Sequence, residues 1–204
     1  MYKQKTDGEI NQLFCRFCHL IQIGIFRRID LLLMQLPFAE KQVKTEFMEQ
    51  ILSIQSAVTL GFVGNSVAGP VITHLGHHPL LIDSITLAAH PGYGLVAGGK
   101  TPDDIFNTIL GALPHLDALP HIGAVITGYL GAPSQIDPIT KLITTWQAAR
   151  PNGHYVLDPV LGDNGRIYVD KGLVSAMRDN LLPLASFVTP NQFELQLLSG
   201  HDVY

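Results

Sequence analysis

From about residue 51 the apolar positions fall into short runs separated by Gly-, Pro- and Asp-rich corners, and the runs alternate between two periods. Ile51 to Ser56 and Pro79 to Ser84 are compact runs of strand length, as are Ile122 to Thr127, His154 to Asp158 and Ser186 to Thr189. Between them lie segments with helical start and stop signals. Gly61 to Gly64 opens a helix expected to reach His74 and to stop at Gly76. Thr101-Pro102-Asp103-Asp104 predicts a helix start with Thr101 as cap, Pro102 in the first turn and acids at the positive end, running to about Leu113. Further helices are predicted from Pro133-Ser134 to Ala149, from Lys171 to Asn180 and from Asn191 to Leu198. His90 to Gly99 is Gly-rich and reads as a loop or flap, and Asp163-Asn164-Gly165 as a turn.

Strands alternating with helices at this spacing imply βαβ units, a mainly parallel sheet and right-handed crossovers that place helices on its faces. In such sheets ligands sit beyond the carboxyl ends of the strands. That rule selects Ser56, Ser84, Thr127-Gly128-Tyr129, Asp158 and Thr189. The chain divides into residues 1–47, which carry apolar stretches mixed with charge that suit one or two amphipathic helices, and residues 48–204, where the regular pattern lies.

Length and composition narrow the function classes. At 204 residues, 47% hydrophobic and 15% charged, the chain can bury one α/β core. A net charge of -4 offers no case for a nucleic-acid partner, which selects a clustered basic face. The most apolar stretch, Leu20 to Phe38, is interrupted by Arg27, Arg28 and Asp30, so neither a membrane span nor a signal peptide is expected. A cytoplasmic protein with reduced thiols follows. Cys15, Cys18 and His19 have the C-x-x-C-H spacing of haem attachment, but that chemistry belongs to exported chains and the spacing reads as coincidence. His74, His77 and His78 sit where a helix is expected to end, without an acidic or cysteine partner nearby, and read as exposed histidines favoured by the helix dipole rather than as metal ligands.

Three corners are chemically rich. Ser56 precedes Gly61-Phe-Val-Gly-Asn65; it could hydrogen-bond a bound ring or simply cap a turn, and the segment lacks the spacing and Lys of a Walker A loop. Asp158-Pro159 puts a carboxylate just past a strand, suited either to a metal and phosphates or to capping its own loop. Thr189-Pro-Asn-Gln-Phe-Glu194 ends a strand and starts a helix, where Glu194 suits the positive helix end and could also be a second carboxylate facing the group at Asp158.

Taken together, Ile51-Leu-Ser-Ile-Gln-Ser56, Gly61-Phe-Val-Gly-Asn65, His90-Pro-Gly-Tyr-Gly94, Thr127-Gly-Tyr-Leu-Gly131, Asp158-Pro-Val-Leu-Gly-Asp163 and Thr189-Pro-Asn-Gln-Phe-Glu194 stand in the order and spacing of pyridoxal kinases. Over roughly Met48 to Gly200 the chain resembles the N-terminal portion of that ribokinase-like family of vitamin B6 salvage. The resemblance implies an α/β/α sandwich with a mainly parallel sheet, incomplete at its C-terminal side. It implies transfer of the γ-phosphoryl of ATP to the 5′-hydroxyl of pyridoxal, with Mg²⁺ as cofactor and a monovalent cation such as K⁺ beside Thr189. By the same resemblance Ser56 would bond the pyridine ring, His90, Pro91 and Gly92 would line the flap, and Tyr129 would pack near the pocket. Asp158 and Glu194 would organise metal and phosphates, with Thr189 and Asn191 beside the nucleotide and Tyr168 in a covering loop. A homodimer is implied for the full-length family.

Departures from the family pattern qualify these implications. Ala57 stands where the family has His, and Leu87-Ala-Ala-His-Pro-Gly-Tyr93 replaces Phe-Ser-Asn-His-Thr-Gly-Tyr, so an aromatic wall and a hydroxyl are lost from the flap. The Gly-x-Gly-Asp segment, whose Asp is the family's general base, does not occur after Glu194, so the base is unassigned and residues 1–47 have no counterpart. Two other readings follow: a hydroxymethylpyrimidine-type kinase, and a non-catalytic vitamer-binding remnant. A sheet lacking its last strands would expose an edge and favour self-association.

Overall fold

The computed structural model describes residues 49–201. The expected extension over residues 1–47, with its C-x-x-C-H spacing and amphipathic segments, lies outside them. Strands β1 (Gln50–Leu60), β2 (His78–Ala89), β3 (Gly98–Lys100), β4 (Ile122–Thr127), β5 (His154–Leu157) and β8 (Phe187–Val188) form one sheet in the order β3-β2-β1-β4-β5-β8. A two-stranded hairpin of β6 (Gly162–Asp163) and β7 (Arg166–Ile167) stands apart. Every pairing in the main sheet is parallel except β2 with β3. The helices are α1 (Asn65–His74), α2 (Asp103–Ala112), α3 (Ile136–Ala149), α4 (Lys171–Ala176) and α5 (Gln192–Ser199). The expected α/β architecture with a mainly parallel sheet is what forms.

The chain runs from β1 through α1 to β2 on one side, then returns through α2 to β4 on the other side of β1. The strand order therefore reverses between β1 and β4, the crevice where open α/β sheets bind ligands. The two strands at this point are the best covered. Leu52, Ser53 and Ile54 are consecutive buried residues of β1, as a strand covered on both faces requires. In α3, Ile136, Ile139, Leu142, Ile143 and Trp146 are buried at helical spacing, and Trp146 Nε1 donates to the Ile122 carbonyl oxygen at 2.9 Å, tying the helix to the start of β4.

Several boundaries differ from the sequence reading. β1 does not stop at Ser56 but continues to Leu60, and β2 continues to Ala89, so the two strands extend together past the rest of the sheet. Their register shifts between Gln55 and Ala57, where the single residue Ser56 of β1 stands opposite two of β2, Ser84 and Ile85, so the bulge is on β2 facing Ser56. The Gly-rich stretch holds a 3-10 turn at Pro91–Tyr93 and then pairs back on β2 as β3. Thr101 does not cap α2. Pro102 occupies the cap position, while Thr101 Oγ1 donates to the Asp83 carbonyl oxygen at 2.5 Å. The helix expected over Lys171 to Asn180 is α4 followed by a π turn at Met177–Leu181. Asn164 and Gly165 turn the β6–β7 hairpin with φ 50° and 77°, the left-handed pair such a turn demands. β8 is the open edge of the sheet, with Phe187 half exposed.

Candidate functional site

Of the strand-end residues selected by the sequence, Thr127 ends β4 with Gly128 and Tyr129 after it, Asp158 follows β5 and Thr189 follows β8, whereas Ser56 and Ser84 lie inside β1 and β2, which continue past them. Strands β1, β4, β5 and β8 are adjacent in that order, so these groups form a row along one rim. At about 4.8 Å per strand spacing, roughly 10 Å separates the β1 and β5 ends.

The β1 end is shaped by a close backbone approach. Gly64, the cap of α1, has φ 55° and ψ -139°, and a Cβ there would run into the Ser56 carbonyl. Only glycine allows the α1 start to sit against Ser56. Beneath Ser56, buried Asn65 accepts from Ser53 Oγ at 2.8 Å and donates to Asp83 Oδ1 at 2.7 Å and to the Ile82 carbonyl oxygen at 3.1 Å. Ser56 is 9% exposed, and its hydroxyl forms no hydrogen bond to another described residue.

The β5 and β8 ends carry the acidic groups. Thr189 Oγ1 donates to Asp158 Oδ1 at 3.1 Å. Burial, and secondarily the charge of Glu194, pushes the Asp158 carboxyl above the ordinary carboxylate range, against the lowering effect of Thr189. Glu194 is 4% exposed and committed to the main chain: Oε1 accepts from Leu161 N at 3.0 Å and Gly162 N at 3.4 Å, and Oε2 from Asn191 N at 2.9 Å. Asn191 Oδ1 accepts from Glu194 N at 2.9 Å, closing a capping box, and its Nδ2 donates to the Gly162 carbonyl oxygen at 2.9 Å. The helix-start role read for Glu194 is thus present, extended to holding the Asp158–Gly162 loop against α5.

Tyr168 follows the hairpin, and its amide donates to the Leu161 carbonyl oxygen at 3.2 Å. Its hydroxyl is pushed up to about 12, first by burial and then by the charges of Glu194, Asp163, Asp158 and Tyr129. The Tyr129 hydroxyl is also raised, by burial.

His90, Pro91 and Gly92 are exposed, and His90 Nδ1 accepts from Gly92 N at 3.0 Å to cap the 3-10 turn. Among the described residues no hydrogen bond joins these three to the acidic groups. No group of three or more His, Cys, Asp or Glu side chains converges for a metal among the described residues, and His74, His77 and His78 do not form one. No described helix is long and apolar enough to cross a membrane.

Sequence reasoning passed over Gln135. It is fully buried, accepts from Gly131 N at 2.8 Å and donates to the Ser84 carbonyl oxygen at 2.8 Å. Nothing in the local pattern separates a buried glutamine at a helix start from an exposed one.

A family model described as phosphomethylpyrimidine kinase matches residues 115–204. A pyridoxine/pyridoxal/pyridoxamine kinase of Bordetella bronchiseptica is 39% identical over 168 residues, 82% of this chain and 59% of that protein. A pyridoxal kinase of Arabidopsis thaliana is 38% identical over 74% of this chain and 48% of its own length. In three dimensions, pyridoxal kinase from Leishmania donovani in complex with ADP and pyridoxamine matches with a TM-score of 0.72 and 33% identity, over 76% of this chain and 54% of that one. A putative phosphomethylpyrimidine kinase from Bacteroides thetaiotaomicron, in a form with pyridoxal, matches with a TM-score of 0.70 and 28% identity, over 77% and 54%. The chain resembles pyridoxal kinases in sequence and in fold, and spans between 48% and 59% of the length of these relatives.

Proposed function

We propose that this chain supplies the pyridoxal-binding and phosphate-organising part of a pyridoxal kinase, which phosphorylates the 5′-hydroxyl of pyridoxal with ATP. The observation that carries the reading is the row of Ser56, Tyr129, Asp158 and Thr189 at the strand-order reversal and along the adjacent strand ends. Its span of about 10 Å from β1 to β5 suits a pyridine ring at one end and the reacting phosphate near the other.

In this reading the unpaired Ser56 hydroxyl bonds the ring, with Tyr129 at its side. His90, Pro91 and Gly92 cover it and exclude water, which suppresses wasteful hydrolysis. The donor set fits Mg²⁺ at Asp158: one carboxylate oxygen is engaged by Thr189 and the other is free, and the carboxyl pKa is raised first by burial and secondarily by the charge of Glu194, which a cation would offset. Asp158 would hold Mg²⁺, whose charge would offset that of the phosphate oxygens during transfer. Glu194 acts mainly through the loop it holds. Thr189 and Asn191 flank the phosphates, a monovalent cation beside Thr189 belongs to the same proposal, and Tyr168 covers the site. None of the chain's residues is assigned as general base. A cytoplasmic location and a homodimeric state are likewise proposed.

The test is incubation of the chain with Mg²⁺-ATP and pyridoxal, following pyridoxal 5′-phosphate by absorbance, with Asp158→Ala as control. Product that disappears in the control supports a kinase. Pyridoxal binding without product supports a vitamer-binding remnant, and neither binding nor product refutes the reading. A hydroxymethylpyrimidine-type kinase is the second reading, favoured by the family model at residues 115–204 and by the small side chains of Ala88 and Ala89 in the flap. A hydroxymethylpyrimidine that outcompetes pyridoxal would select it.

A further inference from the structure

Gln135 ties two corners of the rim together, and the Ser84 carbonyl brings in a third. Gln135 Oε1 accepts from Gly131 N at 2.8 Å, and its Nε2 donates to the Ser84 carbonyl oxygen at 2.8 Å. The same Ser84 carbonyl accepts from Thr101 N at 3.1 Å, and Ser84 Oγ donates to the Tyr129 carbonyl oxygen at 2.6 Å. Thr101 also holds the Asp83 carbonyl, and Asp83 Oδ1 accepts from Asn65 Nδ2. The flap leaves the sheet along β2, beyond Ser84, and returns along β3 into Thr101. Both ends of the flap and the Gly128–Gly131 turn are therefore joined through Ser84, and Gln135 makes two of the bonds.

The side chain suits this task and little else. It is fully buried, so neither end meets water, and it spans an N–H donor on one side and a carbonyl acceptor on the other. A carboxamide offers an acceptor and a donor in one plane at any pH, which a carboxyl group does only when protonated. An apolar residue of similar size would leave the Gly131 amide without its acceptor and remove one donor from Ser84, with no solvent to replace them.

We propose that Gln135 is a positioning residue that couples the base of the flap to the Tyr129 turn, setting the width of the ring pocket without touching the ligand. This rests on the proposed pyridoxal-binding role for the meaning of the pocket, but the coupling itself does not. It predicts that Gln135→Leu opens both corners at once. Gln135→Glu keeps the acceptor for Gly131 but, when ionised, opposes the Ser84 carbonyl; when protonated it can donate there and restore the pair.

The experiment measures pyridoxal binding to the whole chain by absorbance titration, for wild type, Gln135→Leu and Gln135→Glu. Each variant is referred to wild type at the same pH, and amide hydrogen exchange is read across residues 98–101 and 128–131. The expected result is about tenfold weaker binding by Gln135→Leu, one good hydrogen bond's worth at 1.4 kcal/mol per decade. Gln135→Glu should be weak at pH 8 and recover toward wild type at pH 5. Exchange should quicken in both segments of Gln135→Leu while circular dichroism is retained. Wild-type affinity in Gln135→Leu, or no recovery of Gln135→Glu at low pH, overturns the proposal. If wild type binds no pyridoxal, the functional reading fails and exchange alone decides the coupling: faster exchange in both segments upholds it, and change in one segment or neither refutes it. If Gln135→Leu does not fold, Gln135→Glu against pH decides in its place.

Discussion

Glu194 offers the sharpest energetic test, because its carboxylate works on the main chain and its contribution can be counted. Replacing it with Ala removes the acceptor of Leu161 N and of Asn191 N, with a weaker contribution from Gly162 N at 3.4 Å. A buried N–H left without a partner costs about 1–3 kcal/mol. Two strong losses and one weak one put Glu194→Ala at about 3–5 kcal/mol. Glu194→Gln keeps an oxygen for Leu161 and Gly162 but turns its NH₂ toward the Asn191 amide, so about 1–2 kcal/mol is expected. The assay is urea unfolding followed by fluorescence of Trp146, the only tryptophan and fully buried in α3. With a slope of about 2 kcal/mol per molar urea, Glu194→Ala should move the midpoint down by about 2 M and Glu194→Gln by less than 1 M. An unchanged midpoint in Glu194→Ala, or equal damage from both variants, would refute the view that this carboxylate holds the Asp158–Gly162 loop.

Other outcomes follow from the same geometry. The folded-state pKa of Asp158 is raised, so the native state binds its proton more tightly than the unfolded chain, and stability falls as pH rises from the ordinary carboxylate range through that higher value. Asp158→Asn should therefore gain stability over wild type above this window and none below it, in unfolding curves taken across pH without Mg²⁺. For Tyr168 the window runs from the ordinary tyrosine value to about 12, so Tyr168→Phe should lose less stability than wild type across that window and should delete a late component from the phenolate absorbance titration. Tyr155→Phe strips a buried partner 2.8 Å from Thr127 Oγ1 and should cost about 1–2 kcal/mol, while adding Thr127→Val should cost little more, a coupling that a double-mutant cycle reads directly. Gly64→Ala should cost more than about 2 kcal/mol in thermal unfolding, because it forces a Cβ against the Ser56 carbonyl at a backbone angle that suits glycine alone.

The strands and helices around the site were legible because their burial repeats along the chain. β4 and α3 show this best, since the apolar spacing from Ile136 to Trp146 is written directly in the sequence. β1 was read too short because Ser56 looks like a strand end, and the bulge that seats it belongs to pairing with β2. β3 left no trace, being three residues of which two are glycine, held in place by its return along β2. Thr101 has the composition of a cap, yet the Asp83 carbonyl captures its hydroxyl, a tertiary contact that no local rule contains. Gln135 was invisible for the same reason.

These omissions bear on what the site residues are for. Seven polar or charged residues are buried in the described chain: Ser53, Ser56, Asn65, Ser84, Thr127, Gln135 and Glu194. Six of them use their side chains on other parts of the protein: Ser53 with Asn65, Ser84 with Tyr129, Thr127 with Tyr155, Gln135 with Gly131 and Ser84, and Glu194 with three amides. Ser56 alone leaves its hydroxyl without a hydrogen-bond partner among the described residues. Ser56 is not among the fully buried side-chain atoms that lack a partner, which in the described chain are Gln50 Oε1 and His77 Nδ1, so its hydroxyl keeps a path to solvent at the rim. An accessible hydroxyl with no protein partner is what the proposed ligand at the β1 end of the row would use. Ser56→Ala should therefore leave urea stability unchanged or slightly higher while weakening pyridoxal binding, whereas loss of stability with binding intact would mark Ser56 as one more structural hydroxyl.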